Sequence, residues 1–137
     1  HDSARPKYYE SLKKLIEEYR LKNRVYFYEA KDDVREVYFL SEVILNLSSK
    51  PEAFGMKLLE AAMMEKKIAG WDHGGTGEIL DMCFPQGKVE FNNFDLLAHK
   101  IKELANNEEV PKNIFLTSTL LHEKTVAFYV DALNKNY

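Results

Sequence analysis

The sequence is poor in the features that mark several protein classes. It has a single cysteine, Cys83, which excludes an internal disulfide bond and is compatible with a reducing compartment. No apolar run approaches the ~20 residues that a membrane-spanning helix needs. The net charge is −3, and the basic stripe that nucleic-acid-binding modules usually show is missing. We therefore expect no transmembrane segment, no nucleic-acid partner and a cytoplasmic location.

Several motifs of catalysis and metal binding are missing as well. His73, His99 and His122 lack a metal-ligand spacing such as H-x3-H. No G-x-S-x-G elbow for a serine nucleophile occurs. The glycine run at residues 74–77 is not a P-loop, because no Lys-Ser/Thr pair follows it. The absence of these motifs argues against a metal enzyme, a serine hydrolase and a P-loop protein.

What is present indicates a folded α/β chain. With 45% hydrophobic and 30% charged residues, disorder is improbable, and 137 residues suit one domain spanning residues 1–137. Short apolar runs alternate with amphipathic segments, which predicts a three-layer, Rossmann-like parallel sheet covered by helices. The predicted strands are residues 25–28, 43–47, 68–70 and 88–91, and the predicted helices are residues 8–20, a segment capped by Asp32 and Asp33, 56–64, 78–82, 93–106, 112–120 and 122–135.

Residues 48–60 are the stretch around which the other elements are arranged. They follow an apolar strand, carry Pro51 and Gly55 in a turn, and lead into an amphipathic helix. Such a turn places backbone N–H groups at a helix start, where an anion binds readily. Glu52 and Glu60 flank this position. The spacing alone also permits a simpler interpretation, in which each carboxylate only complements the helix dipole or lies on a solvated face.

Four motifs in this region carry a family resemblance. They are P-E-A-F-G-M-K-L-L-E at residues 51–60, A-A-M at residues 61–63, K-I-A-G at residues 67–70 and H-G-G-T-G-E at residues 73–78. Together they resemble the second, donor-binding half of a family 4, GT-B type glycosyltransferase, over about residues 8–137. The resemblance implies an α/β sheet that lacks the first strands of this half, and a chain cut from a longer enzyme, in keeping with His1 as first residue.

The resemblance implies a role for each residue of the matched motif. Glu52 would contact hydroxyls of the transferred sugar and is the expected catalytic residue, while Glu60 would bind the ribose. Gly55 would leave room for the phosphates to approach the backbone amides. The amides expected to face the sugar and diphosphate belong to Ala53, Phe54, Gly55 and Met56, and the base would lie against Tyr28 and Ala30.

The implied reaction transfers a sugar from a nucleoside diphosphate to an acceptor hydroxyl, with retention at the anomeric carbon. It needs no protein nucleophile, cofactor or metal ion, because preorganised donors hold the leaving diphosphate. Two alternatives stay open from the sequence. One is a non-catalytic interaction or assembly module with a GT-B-like fold, and the other is a phosphorylase or epimerase of the same shape.

Three departures from the family pattern have consequences. The Arg-Lys pair that the family places near the diphosphate would precede this chain, with Lys50 and Lys57 as weak substitutes, and Glu29 replaces a usual glycine. The acceptor-binding half of the enzyme is missing, so the fragment alone should be inactive. Any association of the protein with the inner face of a membrane would be made through that missing half. The missing strands should make residues 25–28 and 43–47 pair directly, or produce a homodimer by strand exchange.

Overall fold

The computed structural model describes residues 6–28 and 33–112, which fall into two compact units, residues 1–34 and residues 35–137. In the first unit, helix α1 runs from Pro6 to Glu18. Proline suits the first turn of a helix because the N–H it lacks would have no partner there. Beyond α1, the ring of Phe27 packs edge-on against Tyr9, with centroids 4.9 Å apart.

The predicted strand at residues 25–28 is wrong. These residues adopt no regular structure, and all four are exposed. The β-branched and aromatic side chains that favoured a strand express a preference for a half-buried pleated surface, and β-propensity without a pairing partner does not form a strand. Direct pairing of this segment with the next strand is therefore also wrong, while the homodimer by strand exchange stays a prediction.

The second unit contains the sheet and its helices. All three strands are parallel in the order β1-β2-β3. Helices α3 and α4 make the crossovers between consecutive strands, as parallel pairing requires. The elements are α2 (Arg35–Leu40), β1 (Val43–Asn46), α3 (Met56–Met63), β2 (Lys67–Trp71), α4 (Gly74–Cys83), a 3-10 turn (Pro85–Gly87), β3 (Lys88–Val89) and α5 (Phe94–Ala105).

The core lies around the central strand β2. Ile68, Ala69 and Trp71 are buried, as expected for a parallel strand covered on both faces. Leu58 of α3 and Leu80 of α4 are fully buried within the same unit. The ring of Trp71 packs edge-on against Phe94 at the start of α5, with centroids 5.4 Å apart, and Trp71, Val89 and Leu97 form one buried cluster. Leu104 of α5 is also buried. This packing confirms the predicted α/β class, with helices flanking a parallel sheet.

Two predicted boundaries differ from the observed ones. Helix α4 begins at Gly74, four residues before the predicted start at Glu78, although glycine is a poor helix former. Tertiary contacts of the glycines, described below, override that local preference. Strand β3 ends at Val89 rather than Phe91, because residues 91–92 form a turn in which Asn92 has φ 63°. The predicted helix at residues 122–135 and nearly all of that at residues 112–120 lie outside the described residues.

Candidate functional site

The carboxyl ends of the three strands form the edge at which open α/β sheets bind ligands. Three segments of the chain follow those ends: residues 47–55 after β1, residues 72–73 after β2 and residues 90–93 after β3. Residues 29–31, which include the expected base contact Ala30, lie outside the described residues. The described part of the edge is therefore built by the second unit.

Two of these segments contact each other backbone to backbone. The N–H of Gly75 donates to the carbonyl oxygen of Glu52 at 2.7 Å. A Cβ atom on Gly75 would lie 2.6 Å from both the Cα and the nitrogen of Phe54. A Cβ on Gly74, whose φ is +52°, would lie 2.7 Å from the same Glu52 oxygen. We call this the glycine contact, formed by residues 51–55 and 74–76; it fixes the first loop against the start of α4.

Gly55 belongs to the glycine contact and precedes α3. Its φ of +51° lies in the left-handed region, which favours glycine. A Cβ there would lie 2.8 Å from the carbonyl oxygen of Gly75. The need for glycine thus comes from the turn and from the close approach of α4. This reason differs from the one expected from the sequence, in which a side chain at Gly55 would hold phosphates away from the amides.

The carboxylate of Glu52 points into this corner of the molecule and is half-buried. Its Oε1 accepts a hydrogen bond from Nδ2 of Asn46, the last residue of β1. The same oxygen accepts a second hydrogen bond from Oγ1 of Thr76 at 3.0 Å. Glu52 is therefore held at the strand ends by β1 on one side and by α4 on the other.

The backbone amides that follow Glu52 have no acceptor of their own. Within residues 6–28 and 33–112, the N–H groups of Ala53, Phe54, Gly55 and Met56 donate no hydrogen bond. The first amide of this region with an acceptor is that of Leu58, which donates to the carbonyl of Gly55 at 3.0 Å. With the amide of Lys57, which also donates to none of the described residues, five consecutive donors precede or open helix α3, at the positive end of its dipole.

Glu60 lies in the second turn of α3 and is exposed. It forms no ion pair with any of the described residues. Burial raises the pKa of the Tyr38 hydroxyl on α2, and the negative charge of Glu60 raises it further. The carboxylate of Glu60 is thus exposed and forms no ion pair with a described residue.

The expected base-binding residues, Tyr28 and Ala30, precede the second unit in the chain. Tyr28 belongs to the first unit and is 77% exposed, and Ala30 lies outside the described residues. The lysines weighed as substitutes for the missing basic pair, Lys50 and Lys57, are both exposed. Their side chains make no ion pair with the described residues.

Sequence reasoning missed Asn46 and Thr76. Both had a detectable signal: Asn46 is the one polar residue within the apolar run at residues 43–47, and Thr76 interrupts a run of glycines. A polar side chain in an otherwise buried position usually has a specific hydrogen-bond partner. Here the partner is Glu52 in both cases.

Two further contacts hold the ends of β2 and β3. The imidazole of His73 stacks on Phe91, with centroids 4.7 Å apart, and its Nε2 lies 3.1 Å from the carbonyl oxygen of Ser48. Lys88 pairs with Asp72 at 2.8 Å and with Asp81 at 2.9 Å, and these hydrogen bonds raise the pKa of the Lys88 ammonium. Both contacts fasten the segment between β2 and α4.

Neither a metal centre nor a membrane span is found in the described part of the chain. No group of three or more His, Cys, Asp or Glu side chains within residues 6–28 and 33–112 is placed to hold a metal ion. None of the helices in these ranges is both long and apolar enough to cross a bilayer. The polar groups gathered at the strand ends are backbone N–H groups, which donate hydrogen bonds, and the carboxylate of Glu52, which accepts them.

Open α/β proteins bind their ligands at the carboxyl edge of the parallel sheet. The described part of this chain is of that class, and a loop and a helix start with N–H groups that have no acceptor lie at that edge. Sequence comparison places the chain more narrowly. Residues 5–115 match the family "Glycosyl transferases group 1", and the chain belongs to that family.

The chain is similar to three described proteins. It is 29% identical over 100 residues to N-acetyl-alpha-D-glucosaminyl L-malate synthase of Bacillus anthracis, covering 73% of this chain and 26% of that protein. It is 33% identical over 112 residues to an uncharacterized glycosyltransferase of Methanocaldococcus jannaschii, covering 75% of this chain and 30% of that protein. The crystal structure of a glycosyltransferase from Rickettsia africae superposes with a TM-score of 0.69 at 30% identity, over 74% of this chain and 27% of that one. The chain thus spans less than a third of the length of each relative.

Proposed function

We propose that this chain is the donor-binding part of a retaining family 4 glycosyltransferase, and that its ligand is a nucleoside diphosphate sugar. The observation that carries the proposal is the row of four amides at Ala53 to Met56, which have no acceptor in the described residues and lie beside the fixed carboxylate of Glu52. A diphosphate is the anion that such a row accommodates, because N–H groups at a helix start point at it and the dipole favours its charge.

The two carboxylates would take the uncharged ends of the ligand. Glu52, held next to the amides, would accept hydrogen bonds from hydroxyls of the transferred sugar. Glu60, one turn further along α3 and exposed, would accept hydrogen bonds from the ribose. Hydroxyl groups donate readily to ionised carboxylates, and such charge-assisted hydrogen bonds are stronger than neutral ones. Tyr28 and Ala30 remain the proposed contacts of the base.

The proposed chemistry follows from where negative charge develops in the transition state. When the anomeric carbon separates from the diphosphate, negative charge develops on the leaving phosphate oxygens. Fixed amide donors aimed at those oxygens stabilise the transition state without reorganisation, as donors of an oxyanion hole do. No metal ion is part of this proposal, and Glu52 contributes by orienting the sugar through its hydroxyls rather than by forming a bond to it.

The activity of the whole enzyme needs residues outside this chain. Because the chain covers only 26% and 30% of its curated relatives, we propose that the rest of a longer protein supplies the acceptor site. The fragment alone is then inactive in sugar transfer. The Bacillus anthracis relative is an N-acetyl-alpha-D-glucosaminyl L-malate synthase, so UDP-N-acetylglucosamine is a rational first donor to test.

Calorimetric titration of the 137-residue chain with UDP, GDP and ADP tests the proposal. We expect saturable binding of at least one of the three nucleotides. The variant Glu60→Gln should weaken that binding about tenfold, because a hydrogen bond to a charged group contributes about 1.5–3 kcal/mol and 1.4 kcal/mol is tenfold. Glu65→Gln is the matched control, since Glu65 is also exposed and lies just after α3.

Two results would contradict the proposal. If none of the nucleotides binds, the chain is better described as an interaction or assembly module that keeps the fold without a donor. If Glu60→Gln and Glu65→Gln weaken binding equally, the nucleotide responds to overall negative charge rather than to a carboxylate at Glu60.

A further inference from the structure

Two polar side chains are buried in the part of the chain that the structure describes, and both contact the same atom. Asn46 is 8% exposed and Thr76 is 2% exposed. The amide of Asn46 and the hydroxyl of Thr76 both donate to Oε1 of Glu52. Burying a polar group is costly unless it is hydrogen-bonded, so the convergence of both groups on one oxygen is a built feature of the fold.

A backbone group fixes the orientation of the Asn46 side chain. The N–H of Ser48 donates to Oδ1 of Asn46 at 3.3 Å. This contact turns Nδ2, the donor end of the amide, toward Glu52. A flipped amide would direct Oδ1 at the carboxylate and an N–H group at another N–H group, and both of these contacts are unfavourable.

The consequence is a carboxylate with two unequal oxygens. Oε1 of Glu52 accepts both hydrogen bonds, one from β1 and one from α4, whereas Oε2 accepts none from residues 6–28 and 33–112. Thr76 cannot easily move, because its Cγ2 atom lies against Gly70, where an added Cβ would be only 2.7 Å away. Strand β1 fixes Asn46 in the same way through its pairing with β2.

We propose that Asn46 and Thr76 are positioning residues, which lock Glu52 by one oxygen so that Oε2 accepts a hydrogen bond from a hydroxyl of the donor sugar. This inference rests on the proposed function and adds the residues that orient its sugar-binding carboxylate. Neither residue touches the ligand. Their effect should be confined to the sugar moiety, because the diphosphate and ribose contacts lie on Ala53 to Met56 and on Glu60.

This confinement separates positioning from a purely structural role. A substitution that merely loosens the fold would weaken the binding of a nucleoside diphosphate and of its sugar conjugate together. A substitution that frees the Glu52 carboxylate would weaken only the conjugate. The ratio of the two dissociation constants is therefore the informative quantity.

The variants can be chosen to preserve shape. Thr76→Val keeps the volume and removes the hydroxyl donor, while Thr76→Ser retains the hydroxyl. Asn46→Asp keeps the shape of the side chain but places an oxygen where Nδ2 donates, which sets two carboxylates against each other. Ser41→Ala is the control, because it deletes a hydroxyl that donates to the carbonyl of Val37 at 2.6 Å, outside the site.

The experiment titrates each variant with UDP-N-acetylglucosamine and UDP, and likewise with GDP-mannose and GDP and with ADP-glucose and ADP. For the pair that the wild type binds, we expect Thr76→Val and Asn46→Asp to weaken the sugar conjugate about tenfold and to leave the nucleotide unchanged. Thr76→Ser and Ser41→Ala should retain the wild-type ratio. Thermal unfolding of each variant verifies that it is folded. If Asn46→Asp does not fold, Thr76→Val alone tests the proposal.

The possible failures are distinguishable. If the wild type binds no nucleotide, the proposed function fails. If the wild type binds but Thr76→Val leaves both affinities unchanged, or lowers both equally, the donor-binding function stands and the positioning role of Asn46 and Thr76 is refuted.

Discussion

The substitution Gly75→Ala tests whether the glycine contact holds the loop against α4. The φ of Gly75 is not in the left-handed region, so alanine is not excluded by backbone conformation. Its Cβ, however, would lie 2.6 Å from the Cα and the nitrogen of Phe54 and 2.7 Å from its carbonyl carbon. These are backbone atoms, which cannot rotate away, so the loop at residues 51–55 has to shift.

The expected magnitude follows from three contributions. Overpacking costs about 1–3 kcal/mol, and the shift weakens the hydrogen bond from the Gly75 N–H to Glu52, which contributes about 1 kcal/mol. Alanine gains up to about 1 kcal/mol over glycine within a helix. We therefore expect Gly75→Ala to lower the free energy of unfolding by about 1–3 kcal/mol, which corresponds to a fall in Tm of roughly 3–10 °C.

Gly77→Ala is the matched control for this substitution. It lies two residues further along α4, and its Cβ would lie 2.9 Å from Oδ1 of Asp72 and in ordinary contact with the Asp72 backbone, at 3.4 and 3.5 Å. The Asp72 side chain can rotate by loosening its half-exposed ion pair with Lys88, which costs about 0–1 kcal/mol. The helix propensity gain is similar, so Gly77→Ala should be neutral or slightly stabilising. Urea unfolding of both variants measures the difference. Equal stability of Gly75→Ala and Gly77→Ala would refute the glycine contact as a structural constraint.

Two further predictions concern titratable groups in the same unit. Burial raises the pKa of the Cys83 thiol to about 11, so iodoacetamide at neutral pH should modify Cys83 slowly in the folded protein and rapidly in urea; equal rates would contradict this burial. Hydrogen bonds to Asp72 and Asp81 raise the pKa of the Lys88 ammonium above its ordinary 10.5. The stabilisation of the fold by these two contacts is therefore complete below pH 10.5 and is lost as the pH rises through the pKa that Lys88 has in the folded protein. The free energy of unfolding of Lys88→Met should therefore be lower than that of the wild type at neutral pH. Urea unfolding at increasingly alkaline pH should show this difference shrinking, and a difference that does not depend on pH would contradict the role of the ion pairs.

The strands and helices with strong periodicity were predictable from the sequence. The run at residues 43–47 and the run at residues 68–70 became β1 and β2, and α5 buries the predicted Leu97 and Leu104. These elements are set by local apolar patterns, which tertiary contacts then reinforce. The segment at residues 25–28 failed because its side chains satisfy the strand preference but its backbone has no neighbouring strand.

The site was predictable only in part. Glu52 and Glu60 were named from their motif. The structure places Glu52 at the strand ends, where Asn46 and Thr76 donate to it, and leaves Glu60 exposed in the second turn of α3. The glycine contact was not predictable, because glycines 74 and 75 look like a turn when read locally. Their necessity comes from residues 51–55, about 20 positions earlier in the chain, and such a non-local approach of two backbones leaves no periodic signal.

The central claim is that a diphosphate binds the amides of Ala53 to Met56, and amide chemical shifts of the ¹⁵N-labelled chain report on it directly. Addition of UDP, GDP or ADP should produce saturable shifts that are largest at Ala53, Phe54, Gly55 and Met56, since a phosphate oxygen accepting from an N–H group deshields it. Saturable shifts centred on another surface, or no shifts with any of the three nucleotides, would contradict the claim.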